Sequence, residues 1–96
     1  MGRILQYTML DNEAVAVDLT CTTPGKVLFL AQGGDIRIGY QEVDVTSATG
    51  NFFTVFDSQM MVFDCGPGSG FLAQNQLLYF LAPAGTPTLQ IWIATN

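Results

Sequence analysis

The chain has 96 residues, 49% of them hydrophobic and only 11% charged, and its 8 acidic against 3 basic residues leave a formal net charge of -5. Arg3, Lys26 and Arg37 are the only cations, too few and too scattered to neutralise a phosphate backbone, so no direct nucleic-acid binding is expected. An ordinary soluble domain carries about 25% charged residues, and a chain of this length buries only roughly 60–65% of its unfolded surface, so this much apolar material points to association with other subunits.

From the N-terminus, residues 3–8 read as a first strand, and residues 1–12 together as an N-terminal arm or an edge strand before the turn at Asp11 and Asn12. In residues 14–19, Val15, Val17 and Leu19 alternate with Ala14, Ala16 and Asp18, the period of a half-buried strand. Thr22, Thr23, Pro24 and Gly25 form a turn. Residues 27–31 are apolar throughout, so both faces of that strand are expected to meet protein. After Gly33 and Gly34, Ile36, Ile38 and Tyr40 alternate with Arg37, Gly39 and Gln41, and Val43 and Val45 repeat the pattern against Glu42 and Asp44. The stretch 35–50 therefore reads as two strand-like segments leading into a polar turn.

Residues 52–56 and 60–63, separated by Asp57 and Ser58, read as a hairpin. The segment 66–70, with three glycines and Pro67, reads as a flexible loop. Residues 77–81 and 88–93 close the chain as two strands around a Pro- and Gly-containing connection, and no helix-period segment of useful length is evident. Short strands at this spacing predict one all-β domain over residues 1–96, an antiparallel β-sandwich of jelly-roll-like form. Its expected core draws on Val15, Val17, Leu19, Leu28, Leu30, Ile36, Ile38, Phe63, Tyr79, Leu89 and Ile91.

Catalytic and metal-binding signals are sparse. The chain has no histidine, and Cys21 and Cys65 do not form a CxxC pair, so zinc is not expected. With no charged start before an apolar core, no export is expected and the two thiols are expected to stay reduced. No apolar run reaches the ~18 residues of a membrane span, and Gln6 stands where myristoylation prefers Ser or Thr. The glycine-rich 66–70 segment lacks the Lys followed by Ser or Thr of a phosphate-binding loop. Glu42 and Asp44 on one strand face offer a carboxylate pair for glycoside hydrolysis, but the alternation with Val43 and Val45 reads more simply as a solvated face. Asp35, Glu42, Asp44, Asp57 and Asp64 offer oxygen ligands for calcium without the clustered spacing of a calcium loop. No enzyme and no cofactor are expected.

In the last strand, Leu89, Ile91 and Ile93 form the core series and place Trp92 beside Thr88 and Gln90 on the opposite face. Phe53, Met60 and Trp92 are the expected interface positions, since large aromatic and Met side chains concentrate in interface cores. An alternative use of exposed aromatics is a carbohydrate- or receptor-binding module stacking on Trp92, Tyr40 and Tyr79.

The order of Ile36 and Gly39, then Asp44, Val45, Thr46 and Gly50, then Leu78, Tyr79, Ala82, Gly85 and Thr86 resembles small virion-associated β-sandwich proteins of tailed bacteriophages. In that group an Ile-x-x-Gly strand precedes an Asp-Val-Thr segment and a glycine turn, and a Leu-Tyr segment leads through Gly-Thr to a closing strand. The resemblance covers about residues 14–93 and departs at Phe56, Asp57, Ser58 and Gln59, where a Pro- or Gly-containing turn is usual. It implies a structural role in the virion, as a capsid decoration or cement protein or in the head and tail assembly. The major capsid protein would be the partner, and the protein would be assembled in the host cytoplasm. Residues 27–31, 52–56 and 60–63 are apolar on both strand faces, of which one sandwich core accepts only one, so a homo-oligomer is expected, a trimer or other small ring foremost.

Overall fold

A computed structural model describes residues 2–21, 24–68 and 75–95. It contains eight strands and one short helix: β1 (Gly2–Thr8), β2 (Ala14–Thr20), β3 (Gly25–Gln32), β4 (Ile36–Gly39), α1 (Glu42–Thr46), β5 (Phe53–Val55), β6 (Met60–Cys65), β7 (Asn75–Leu81) and β8 (Thr88–Thr95). The strands form two four-stranded sheets in the orders β1-β8-β3-β6 and β2-β7-β4-β5. All the ladders are antiparallel. β1 pairs with β8, β2 with β7, β3 with β6 and β4 with β5, so the chain is one long nested hairpin rolled up until β8 meets β3 and β7 meets β4. That path is a jelly roll, and the expected all-β sandwich is the observed fold.

Period-two alternation builds the core. Val17 and Leu19 from β2, Val27, Phe29 and Ala31 from β3, Ile36 and Ile38 from β4, Leu78 and Phe80 from β7, and Leu89, Ile91 and Ile93 from β8 are buried in one cluster. Phe29 is central: its ring lies 5.9 Å from that of Phe63 in its own sheet and 5.7 Å from that of Phe80 in the opposite sheet. Both pairs are tilted, the favoured arrangement for aromatic quadrupoles.

Three of the expected core residues lie elsewhere. Leu28 and Leu30 occupy the outward positions of β3, because Val27, Phe29 and Ala31 take the inward ones. In an all-apolar strand the parity is undecided by pattern, and the bulk of Phe29 settles it by filling the space between the sheets. Tyr79 faces outward on β7, paired with Ala16 and Gly39.

The expected hairpin of residues 52–56 and 60–63 is also not formed: β5 pairs with β4 and β6 with β3, so the chain crosses between the sheets there. The crossing is tied down by hydrogen bonds from Ser58 N to the Ala31 carbonyl (2.8 Å) and from Asp57 N to the Asp35 carboxylate (2.8 Å). Ser58 adopts a positive φ of 62° in that turn.

The second strand-like segment of the 35–50 stretch is a single helical turn, α1. Val43 is exposed and Val45 fully buried, and Arg37 donates from Nη1 to the Val45 carbonyl at 3.1 Å. A Cβ on Gly50 would lie 2.1 Å from the Asp44 carbonyl oxygen, so this return of the chain over α1 requires glycine. Tertiary contact over the β2-β7-β4-β5 sheet thus overrides the β preference of the two valines. Thr22, Thr23, Ser69 and Gly70 of the two expected turn segments lie outside the described residues.

Cys21 and Cys65 are buried free thiols. Burial, helped by a hydrogen bond with Cys21 and the nearby charges of Cys21 and Asp64, pushes the Cys65 thiol up to about 12 from an ordinary value of 9.0. The folded state therefore holds its proton more tightly than the unfolded chain, so this contribution to stability is complete below pH 9 and is lost as pH rises from there towards 12. Denaturant unfolding across that range is expected to show a steeper fall for the native chain than for Cys65→Ala, and added reductant should leave the melting temperature unchanged at neutral pH. The parity of β3 is tested by a pair of substitutions: Phe29→Ala should cost about 3–5 kcal/mol, whereas outward Leu28→Ala should cost less than half of that in dilute solution.

Candidate functional site

The outer face of the β1-β8-β3-β6 sheet carries apolar side chains in register. Ile4 pairs with Trp92, Trp92 with Leu28, and Leu28 with Val62, so one apolar row crosses all four strands. The next row is Gln6, Gln90, Leu30 and Met60. On the other side of the apolar row, Ala94 pairs with Lys26 and Lys26 with Asp64.

Alternation dictates these rows. Leu5 and Tyr7 pack towards the core, leaving Ile4 and Gln6 outside, while Met61 and Phe63 do the same and leave Met60 and Val62 outside. Ile4 and Met60 are each 62% exposed, Val62 56% and Trp92 47%. With half-buried Leu28 and Leu30 between them, they make a patch on the order of 400 Å², the size of the largest apolar patch on a typical monomer, which is often functional.

Polar contacts border the patch. Gln90 donates from Nε2 to Gln6 Oε1 at 3.1 Å, and the Lys26 ammonium forms an ion pair with the Asp64 carboxylate. Both partners of that pair are well exposed, so it adds little stability.

The opposite sheet handles its outer face differently. α1 packs across β7, β4 and β2 and buries Val45 there, together with Leu81, which points outward from β7 opposite Ala14 and Arg37. The Arg37 guanidinium lies 4.7 Å from the centre of the Phe52 ring, closing the edge of this small outer cluster by a cation–π contact. One sheet therefore has a cover supplied by its own chain. Among the described residues, no element covers the other.

Two of the three expected interface residues, Met60 and Trp92, lie on the exposed face. Phe53 does not join them: it sits on β5 opposite Ile38, faces inward, and its ring lies 5.3 Å from that of Phe63. Ile4, Leu28, Leu30 and Val62 complete the face and were absent from the sequence-based expectation. Their signal lay in the parity of each strand once Phe29, Leu5 and Phe63 are assigned inward. Tyr79 is on the other sheet from Trp92, and Tyr40 follows β4 on that sheet, so the three aromatics proposed for stacking do not converge.

The carboxylates serve the turns. Asp57 Oδ1 accepts from Gly33 N at 2.9 Å, Asp35 Oδ1 from Asp57 N at 2.8 Å, and Asp11 Oδ1 from Gly85 N at 2.9 Å. Each pins one loop to another at the same end of the sandwich. Glu42 and Asp44, two residues apart on a helical turn, project about 200° apart, so they do not share a face as an alternating strand would place them. Among the described residues no group of three or more His, Cys, Asp or Glu side chains is arranged to hold a metal. A shallow depression of about 320 Å³ is lined by Ile38, Gly39, Tyr40, Asn51, Phe52 and Phe53, none of which is a carboxylate or a thiol.

In comparisons with known proteins, no family model, no curated protein and no solved structure matches the chain. The exposure of Trp92, the only tryptophan in the chain, can be read directly. In dilute solution its fluorescence is expected to be long-wavelength and readily quenched by acrylamide, and an emission typical of a buried indole would contradict the placement of the row.

Proposed function

We propose that this protein is a non-enzymatic structural component of a phage virion, of the capsid decoration or cement type, acting through apolar interfaces between subunits. The observation that carries the reading is the row Ile4, Trp92, Leu28 and Val62 on a regular four-stranded sheet, which no element covers among the described residues. Such a face gains by burial against a complementary surface: at ~25 cal/mol per Å², 400 Å² of apolar area supplies on the order of 10 kcal/mol before the costs of association. Repetition on a symmetric shell would add avidity to each contact.

The jelly-roll architecture is compatible with this role but does not carry it, because the same roll serves capsids, lectins and cupins. The resemblance of residues 14–93 to small virion proteins of tailed phages favours the capsid among them. Few charges and turns pinned by carboxylates suit a compact unit that repeats on a particle surface. The carbohydrate-binding alternative has less support, since Trp92 stands without Tyr40 or Tyr79 beside it.

Mass spectrometry of gradient-purified particles from the source of this gene is expected to find the chain at a copy number comparable with that of the major capsid protein. Particles that lack it would overturn the reading.

A further inference from the structure

The β1-β8-β3-β6 face has dimensions that can be compared with those of a stable interface. With strands about 4.8 Å apart and about 3.3 Å per residue, the four strands present a rectangle roughly 19 Å by 23 Å over the seven residues of β1. Side-chain relief raises the accessible area to on the order of 600 Å², of which the rows inside the Lys26–Asp64 rim hold about three quarters, so two such faces in contact bury on the order of 900 Å², the range of a weak, transient protein interface. A single partner face of the same size and character is therefore enough for a weak pair.

The order of the rows shows which partner meets that requirement. Taken across the sheet, the apolar row reads Ile4, Trp92, Leu28, Val62. A twofold axis in the plane of the interface and parallel to the strands reverses this order on a second copy. Trp92 then stands over the shorter Leu28 of the partner, and Ile4 over Val62, so large and small alternate as interdigitating sheets require. The same operation keeps the Lys26–Asp64 row at the rim, where both charges remain in water. An axis perpendicular to the strands would instead stack Trp92 on Trp92 and press Lys26 against Leu30. In the neighbouring row the parallel axis sets Gln6 over Met60 and Gln90 over Leu30, with the two amides still paired to each other. The apolar row is thus self-complementary in one arrangement, the condition for an isologous contact.

From this geometry we infer that the occupant of the face is a second copy of this chain, packed sheet to sheet about a twofold axis parallel to the strands. The pair is a dimer and not the trimer or small ring expected from the doubly apolar strands, since an isologous face is used up by one partner. The inference stands on the face alone and does not require the virion reading. An interface of this area, formed by a modest apolar row, belongs to a dimer with micromolar dissociation.

Sedimentation equilibrium of the full chain between about 1 and 200 µM tests it, together with Val62→Asp and Trp92→Ala. The expected result is a monomer–dimer equilibrium that Val62→Asp weakens by roughly 10-fold, since it sets a carboxylate against the partner's apolar edge, and that Trp92→Ala weakens by roughly 10-fold or more through loss of the central contact, with circular dichroism and monomer melting unchanged. Mild oxidation of the double variant Ile4→Cys/Val62→Cys should trap a covalent dimer, because these positions face each other across the axis. Four outcomes would overturn the inference: a monomer throughout the range, a trimer, a dimer indifferent to Val62→Asp, or a dimer that the paired cysteines do not cross-link. A monomer whose Val62→Asp variant is also lost from purified particles would assign the face to another virion protein. Particles without the chain, beside an intact dimer, would remove the virion reading and leave the dimer standing.

Discussion

The contact between Phe29 and Phe80, ring centroids 5.7 Å apart, is the point on which the rest of the molecule turns. Phe29 lies on β3, which is hydrogen-bonded on both sides, to β8 and to β6. Phe80 lies on β7, which is likewise paired on both sides, with β2 and β4. Each is in a strand held rigid by its neighbours, so the ring contact fixes the two sheets against each other. It also sets the parity of β3, and parity is all-or-none: with Phe29 inside, Leu28 and Leu30 must be outside.

From that constraint the exposed face follows. The registers of β8, β6 and β1 align Trp92, Val62 and Ile4 with Leu28, and none of these strands can slip by one residue without turning its own inward set to solvent. An apolar outer row is the consequence of filling one side of an all-apolar strand. The opposite sheet meets a similar demand at Leu81 by laying α1 across it, at the expense of a helical turn made from β-branched residues and a return that only Gly50 permits. The two sheets therefore differ: α1 covers the outer face of one, and among the described residues no element covers the other.

The turns at one end show a second use of a scarce resource. With so few charged residues, Asp11, Asp35 and Asp57 each accept a backbone amide from a loop that is distant in sequence. These bonds replace the local turn chemistry that a hairpin would supply. They are needed because the roll crosses between sheets at nearly every connection, so the ends of the strands must be secured by contacts between loops. Nested pairing of β1 with β8 and β2 with β7 makes most contacts remote in sequence, a topology that folds slowly.

Strand character and much of the core were legible in the sequence, because alternation is a local property: Val17 and Leu19, Ile36 and Ile38, Leu89 and Ile91 all point inward as their period requires. The outward position of Trp92 was legible for the same reason. Tertiary structure alone decided the parity of residues 27–31, where every side chain is apolar and only the volume available to Phe29 distinguishes the two faces. It alone turned Val43 and Val45 into a helical turn, since the sheet surface beneath Val45 is built from strands far away in the chain. It alone sent Phe53 inward and separated β5 from β6. Phe53 and Met60 look alike in the sequence as large apolar residues near a turn, yet one packs on Phe63 and the other faces solvent, because the chain changes sheets between them.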